Sequence, residues 1–239
     1  MGKWHLMGLC VALLLLLGFH PSEGSKSVAA DARVELDDEV GYVALTFDDG
    51  PRRITTARLL DGLEERGVNA TFFLIGRQIE ENRDLVVRMQ AEGHQVGNHT
   101  WDHVRLHGMT AQDMLFQLQE TDEKLQEILG EGEYWVRPPY GQIDEEEKAL
   151  VSVPMIRWSV DPRDWESQDV EQIVAHVLQD VTPGSIILMH DIYPTSVDAA
   201  LEIVDALQEK GYRFVTVEEL FALSGVQPQA GVLYLRADR

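Results

Sequence analysis

Short apolar segments alternate with amphipathic segments along most of the chain. Runs rich in β-branched and aromatic residues predict strands at Val40–Phe47, Ala70–Ile75, Gln95–Asn98, Met155–Val160, Ser185–Met189 and Phe214–Val217. Between them, apolar positions three and four residues apart predict helices at Ile54–Arg66, Gln78–Glu92, Thr110–Leu129, Val170–Leu178 and Val197–Gln208. The alternation predicts an α/β fold, with a parallel sheet covered by helices. About seven strand–helix units fit either a barrel or an open wound sheet.

The N-terminal segment has a different pattern. Lys3 precedes the apolar run Leu6–Phe19, which is broken only by glycines and is followed by polar residues. This order is typical of a secretory signal at residues 1–24, with a cleavage boundary between 24 and 30, and the run is shorter than the ~20 residues of a membrane span. We therefore expect export and no stable membrane insertion after cleavage; an uncleaved membrane anchor is the alternative.

The rest of the chain divides by composition into three parts. Residues 25–39 are polar and acidic, which predicts a flexible lead-in. Residues 40–225 carry the strand and helix patterns and form one predicted domain, and residues 226–239 form a C-terminal extension. The single cysteine, Cys10, lies inside the predicted signal, so the mature chain must fold without a disulfide.

The net charge narrows the choice of partners. Lys and Arg number 20 against 41 Asp and Glu, which gives −21 in a chain of otherwise ordinary globular composition. Because phosphate binding depends on cationic side chains, no nucleic-acid partner is expected. The sequence does not indicate an oligomeric state.

Unusual polar groups follow four of the predicted strands and the short apolar segment Tyr134–Val136. The carboxyl ends of parallel strands meet at one face, so these groups are expected to come together there. They stand in the segments Thr46–Pro51, His99–His103, Arg137–Gly141, Asp161–Trp165 and Leu188–Asp191.

Individually, these groups allow both functional and structural interpretations. Asp48 and Asp49 repel each other unless a cation shares their site, although a solvated turn also fits. His99 and His103, placed on one helical turn, would present both imidazoles to a single metal, although paired surface histidines also fit. Arg137, aimed inward by two prolines, could hold a carboxylate bidentately, and His190 is poised to titrate near neutral pH.

In this order, the five segments resemble the motifs of polysaccharide deacetylases of carbohydrate esterase family 4. The resemblance spans about Val40 to Leu223. It implies a distorted (β/α) barrel of about seven parallel strands with outer helices, and it makes residues 40–225 a catalytic domain. It also implies metal-dependent removal of acetyl groups from N-acetylated sugars.

The resemblance also implies a role for each motif residue. Asp48 would be the general base, oriented by Arg137, and His190 the general acid, tuned by Asp164. Asp49, His99 and His103 would bind one divalent ion; zinc is expected for this donor set, and cobalt or another divalent ion could serve. The substrate would be bound by the backbone N–H of Tyr140, which faces the oxyanion, and by Trp165 and Leu188, which line the acetyl pocket.

The leading hypothesis is a secreted or cell-wall-associated hydrolase that deacetylates N-acetylglucosamine units, foremost in peptidoglycan. Chitin or chitooligosaccharides are the second choice of substrate, and acetylated xylan the third. Two other classes remain as alternatives: a non-catalytic carbohydrate-binding protein, and a metal-dependent phosphohydrolase, for which the predicted face offers few cationic groups.

Overall fold

The structure is a computed structural model that describes residues 41–237. The predicted signal at 1–24 and lead-in at 25–39 lie outside the described residues. The strands are β1 Tyr42–Asp48, β2 Thr71–Leu74, β3 Gln95–Asn98, β4 Met155–Ile156, β5 Ile186–His190, β6 Arg213–Phe214 and β7 Leu233–Tyr234. The helices are α1 Thr55–Glu65, α2 Gly76–Ile79, α3 Arg83–Ala91, α4 Ala111–Leu129, α5 Glu145–Lys148, α6 Val170–Asp180, α7 Pro194–Glu209 and α8 Val217–Ser224. Short 3-10 helices lie at Glu80–Asn82 and Pro139–Gly141.

The strands form a parallel sheet around β1. β1 pairs with β2 and β5, its first two residues pair with β6, and β3 continues the sheet beyond β2. β4 pairs with β7, and Val136 bridges Asn98 to Met155, which links this pair to β3. All named pairings are parallel, so the predicted α/β class with parallel strands and helices is confirmed.

The register brings the predicted motifs to the same level of the sheet. Asp48, the last residue of β1, lies opposite His190, the last residue of β5. On the other side of β1, Leu74 ends β2 opposite Asn98 of β3, directly before His99. The carboxyl ends of four adjacent strands, in the order β3, β2, β1 and β5, thus bring chemical groups together that are far apart in sequence.

An apolar core fixes this arrangement. The inner residues of β1 and β5 are fully buried and pack with the apolar faces of α1 and α7. Leu59, Leu60 and Leu63 of α1 are also fully buried, as their spacing predicts. Burial of each such side chain contributes about 1.5–3 kcal/mol to the stability of the folded state. The site is therefore built on well-packed strands and helices.

Three predicted elements differ from the structure, and hydrogen bonds explain each difference. The predicted helix Gln78–Glu92 is interrupted at Asn82, whose side-chain amide donates to the carbonyl of Pro51 at 3.3 Å. The predicted strand Met155–Val160 ends at Ile156, because the carbonyls of Ile156 and Arg157 accept from the Arg137 guanidinium at 3.3 and 3.0 Å.

The third difference is at the end of the predicted strand Phe214–Val217. Val217 begins α8 instead, because Thr216 and Glu219 form a reciprocal capping box. Within the predicted C-terminal extension, Leu233 and Tyr234 form β7 and pair with β4.

Among the described residues, none of the helices combines the length and the apolar character that crossing a membrane requires.

Candidate active site

Asp49, His99 and His103 form a group with metal-binding geometry. Their ligand atoms all lie within 4.8 Å of one another. The Asp49 Oδ1 is 3.2 Å from Nε2 of His103 and 3.6 Å from Nε2 of His99. This oxygen is buried and accepts no hydrogen bond within the described part of the chain. One carboxylate and two imidazoles around an unsatisfied buried oxygen fit a divalent cation.

His99 is held in the form that a metal ligand needs. Its Nδ1 donates to the carbonyl oxygen of Arg137 at 2.7 Å, which fixes the tautomer and leaves the Nε2 lone pair available. Burial lowers the pKa of His99 to about 3, although the Asp49 charge opposes this shift. The ring is therefore neutral at physiological pH, and ligation needs no proton loss from it.

The loop after β3 brings the two histidines together, but not as a helical turn. Thr100 and His103 have positive φ angles of 67° and 57°, so the predicted helical spacing is wrong, while the proximity of the two rings, 5.0 Å between centroids, is correct. The Asn98 side chain supports the loop: its Oδ1 accepts from the Thr100 N–H at 2.8 Å. Its Nδ2 donates to Leu118 O and to Asp122 of α4 at 2.9 and 2.8 Å.

Asp48 lies next to this group, beside a buried arginine. One nitrogen of Arg137 donates to Asp48 Oδ1 and to Thr46 Oγ1, both at 2.7 Å. Arg137 is fully buried, as its position before two prolines predicts, but it contacts Asp48 through one nitrogen, so the expected bidentate contact is not formed. Burial raises the pKa of Asp48 despite the opposing Arg137 charge.

His190 is joined to Asp164 through two contacts. Its Nδ1 and its backbone N–H each lie 2.8 Å from one oxygen of the Asp164 carboxylate, which is fully buried. Burial alone would lower the pKa of His190, but the hydrogen bond and charge of Asp164 raise it to about 9. His190 is therefore protonated at neutral pH, opposite Asp48 in the sheet register.

The predicted substrate-binding residues lie on three segments. Tyr140 has a φ of 60° and an exposed ring that packs at 5.0 Å from the His103 ring. Its backbone N–H has no hydrogen-bond acceptor among the described residues. Trp165 is 49% exposed directly after Asp164, whereas Leu188 is buried within β5, opposite Thr46.

Backbone strain is concentrated in the motifs. Within residues 41–237, the non-glycine residues with positive φ are Asp49, Thr100, His103, Tyr140 and Arg163. Each lies in one of the segments that the sequence marks by its polar residues. Such conformations cost about 1–3 kcal/mol each and persist where the surroundings enforce them, as at functional sites.

Three further residues, in these segments or directly before one, support the site although no role was predicted for them. Thr46 shares the Arg137 contact, and Asn98 anchors the histidine loop. Asp191 is fully buried and accepts from the Thr56 hydroxyl, and burial raises its pKa to about 7. A Cβ at Gly50 would lie 2.7 Å from the Asp191 carboxyl carbon, so any larger residue at this position would clash. The only sequence signal for Thr46, Asn98 and Asp191 is their position in the motifs or directly beside them.

A second acidic and histidine group lies away from this site. His107, Asp144 and Glu147 offer ligand atoms within the same 4.8 Å distance. Glu147 accepts from the N–H groups of Gly108 and Asp144, and Asp144 caps α5. These hydrogen bonds explain why the three side chains lie close together: the group caps the N-terminus of α5.

Comparison with known proteins places this site in a family. A family model described as polysaccharide deacetylase matches residues 36–153. The chain is 40% identical to a peptidoglycan-N-acetylmuramic acid deacetylase of Bacillus subtilis over 185 residues, 77% of this chain and 40% of the relative. A solved structure of a "T48 deacetylase with substrate" is 40% identical, with a TM-score of 0.78 over 82% of this chain and 96% of the other. The chain belongs to the polysaccharide deacetylase family.

Other members show how varied the substrates of this deacetylase family are. A family 4 acetyl xylan esterase from Clostridium thermocellum, solved with a cobalt ion, is 33% identical, with a TM-score of 0.78 over 82% of this chain and 98% of the other. Further matches are named peptidoglycan-N-acetylglucosamine deacetylase, from Listeria monocytogenes, and chitooligosaccharide deacetylase, from Sinorhizobium fredii. The chain spans about two fifths of the first curated relatives it matches.

Proposed function

We propose that this chain is an exported, metal-dependent hydrolase that removes N-acetyl groups from N-acetylglucosamine-containing polysaccharide, foremost peptidoglycan. One observation carries the proposal. Asp49, His99 and His103 form a metal-binding group beside the Asp48–Arg137 pair and the His190–Asp164 pair. A base, an acid and a cation site within one cluster are the parts that amide hydrolysis by water requires.

Asp48 acts as the general base. Asp49, His99 and His103 would hold a divalent ion, which would supply Lewis-acid polarisation of the acetyl carbonyl and make water more acidic. Asp48 takes the proton of the attacking water, and burial strengthens it as a base by raising its pKa. Arg137 keeps the Asp48 carboxylate in one orientation through its hydrogen bond.

His190 acts as the general acid. Its raised pKa of about 9 keeps a proton on the ring at neutral pH, and Asp164 holds Nδ1, so Nε2 is the atom that donates to the leaving amine. The free N–H of Tyr140 stabilises the developing oxyanion, an effect worth roughly 3–4 kcal/mol in other hydrolases. Trp165 and Leu188 line the pocket for the acetyl methyl group.

Zinc is the proposed metal. One carboxylate and two neutral imidazoles leave coordination positions open, which is typical of catalytic zinc sites. Cobalt is the alternative ion, because the structure of the acetyl xylan esterase was solved in complex with cobalt.

Peptidoglycan is the proposed substrate because the N-terminal segment predicts export and several relatives carry peptidoglycan deacetylase names. Chitooligosaccharides and acetylated xylan are the next choices, since relatives with those names also match. A non-catalytic carbohydrate-binding role is disfavoured because no part of the proposed catalytic set is missing.

Acetate release tests the proposal. The zinc-loaded protein should release acetate from peptidoglycan and lose this activity in a chelator, with recovery when zinc or cobalt is restored. Mass spectrometry of the muropeptides and of chitooligosaccharides from parallel incubations identifies the substrate. Unchanged muropeptides together with deacetylated chitooligosaccharides would reverse the substrate order, and no acetate from any of these glycans would contradict the enzyme function.

A further inference from the structure

Arg105 forms the outer end of a stack of side chains that begins at the metal-binding group. Its guanidinium carbon lies 5.1 Å from the centre of the Tyr140 ring. That ring packs against His103 at 5.0 Å, and the His103 Nε2 is 3.2 Å from Asp49. Arg105 and Tyr140 are both exposed, so this stack reaches from the proposed metal to solvent.

Arg105 also differs from its neighbours in its charge pairing. Arg77, close to the same loop, lies 3.7 Å from Asp102, and Arg137 is bound to Asp48. No acidic side chain within residues 41–237 forms an ion pair or a hydrogen bond with Arg105. Arg105 thus presents an exposed positive charge beside the site, in a chain whose net charge is −21.

The chemistry of a stacked guanidinium indicates its ligand. When the face of a guanidinium packs on an aromatic ring, the N–H groups at its edge remain free. They can donate two parallel hydrogen bonds to a carboxylate. The stacking also restricts the side chain, so less entropy is lost when the ligand binds. A neutral sugar gains much less from such a group than an anionic one.

We propose that Arg105, held over Tyr140, binds a carboxylate of an anionic N-acetylated glycan and thereby selects peptidoglycan over neutral chitooligosaccharides. This inference rests on the proposed deacetylase function and narrows its substrate class. The carboxylate belongs either to the lactyl ether of muramic acid or to an attached stem peptide. The contact also offsets the repulsion that an acidic protein experiences near an anionic wall polymer.

The test compares three substrates of similar length: peptide-free glycan strands with lactyl carboxylates, glycan strands with stem peptides, and chitooligosaccharides. Arg105→Gln should lower kcat/KM on a carboxylate substrate, relative to chitooligosaccharides, by about tenfold and mainly through KM. Arg105→Lys should recover part of this loss, because lysine keeps the positive charge but lacks the paired N–H donors of the guanidinium. Lys210→Gln is the matched control, since it removes one positive charge near β6, which pairs with the opposite end of β1.

Each outcome decides between the alternatives. A loss confined to the peptide-free strands assigns the lactyl carboxylate, and a loss confined to the peptide-bearing strands assigns the peptide. An equal loss on all three substrates, or the same change in the Lys210→Gln protein, would overturn the role of Arg105 and leave the deacetylase function standing. A wild-type protein that releases no acetate from any substrate would refute the deacetylase function itself.

Discussion

At the scale of single residues, the pair His190 and Asp164 shows how burial and charge together set an acid. Burial disfavours the imidazolium, and Asp164 more than compensates, because its carboxylate is fully buried and bound twice to His190. The pKa of about 9 thus depends chiefly on the contact with Asp164, and the charges of Asp48 and Asp49 add to it. Removing the charge of Asp164 while keeping its shape should remove most of the shift.

We expect Asp164→Asn to move the alkaline limb of the kcat/KM profile from about pH 9 toward pH 7, because burial is then opposed only by the charges of Asp48 and Asp49. The variant should lose tenfold or more activity at pH 8 and lose less near pH 6. The raised pKa also stabilises the fold below pH ~6.5, and this contribution disappears as pH rises through about 9. The variant should therefore be destabilised more at pH 6 than at pH 10.

Asp161→Asn is the matched control for this profile, because Asp161 lies in the same segment but accepts from the Arg163 N–H instead. Its pH profile should match that of the wild-type protein. An Asp164→Asn profile with an unshifted alkaline limb would show that another group sets it.

The residue types of the site could be predicted from the sequence, but their supporting contacts could not. Carboxylates and imidazoles at strand ends are visible because they are unusual there. Thr46 and Asn98 are ordinary polar residues, and they gain importance only from partners on other elements, Arg137 and Asp122. Such contacts depend on the tertiary fold, which a local pattern does not contain.

At the scale of elements, most helices and strands followed their apolar spacing, and the loops did not. β3 and α4 lie where the pattern predicts them, because local periodicity and burial agree. The loop at His99–His103 was expected to be helical, but Thr100 and His103 have left-handed backbone conformations. A conformation that costs energy locally is selected by the surrounding fold, so propensity does not reveal it.

Asn98 connects β3 and the histidine loop to α4, and its removal should weaken the metal site. In Asn98→Ala, the Thr100 N–H and the partly buried Asp122 carboxylate both lose a partner, which should cost roughly 2–4 kcal/mol of unfolding free energy. The affinity for zinc should fall about 10–100-fold, as for other residues that support metal ligands. Competition titration with a chelating indicator measures this affinity.

Thr110→Ala is the comparison variant, because Thr110 caps α4 at its N-terminus and has no contact with the histidine loop. It should cost about 1 kcal/mol of stability and leave the zinc affinity unchanged. Equal zinc affinities in the Asn98→Ala and wild-type proteins would show that the loop holds its shape without Asn98.

At the scale of the whole molecule, the proposed metal joins segments that the chain separates widely. Asp49 follows β1, whereas His99 and His103 follow β3, and both strands pack into the same core. An ion that binds only the folded arrangement must stabilise it by mass action, by about 2.7 kcal/mol when free zinc is 100 times Kd. For a domain of about 200 residues, this corresponds to a rise in Tm of roughly 5–10 °C.

We expect this rise in the wild-type protein when zinc is added after chelation, together with one bound ion per chain by elemental analysis. His99→Ala should lose both the ion and the rise in Tm, because a ligand is missing. His190→Ala should keep both and lose kcat, because His190 supplies a proton and no metal contact. If His99→Ala kept a full zinc complement and an unchanged rise in Tm, the ion would have to bind elsewhere, and the proposed chemistry of Asp48 and His190 would have no polarised carbonyl on which to act.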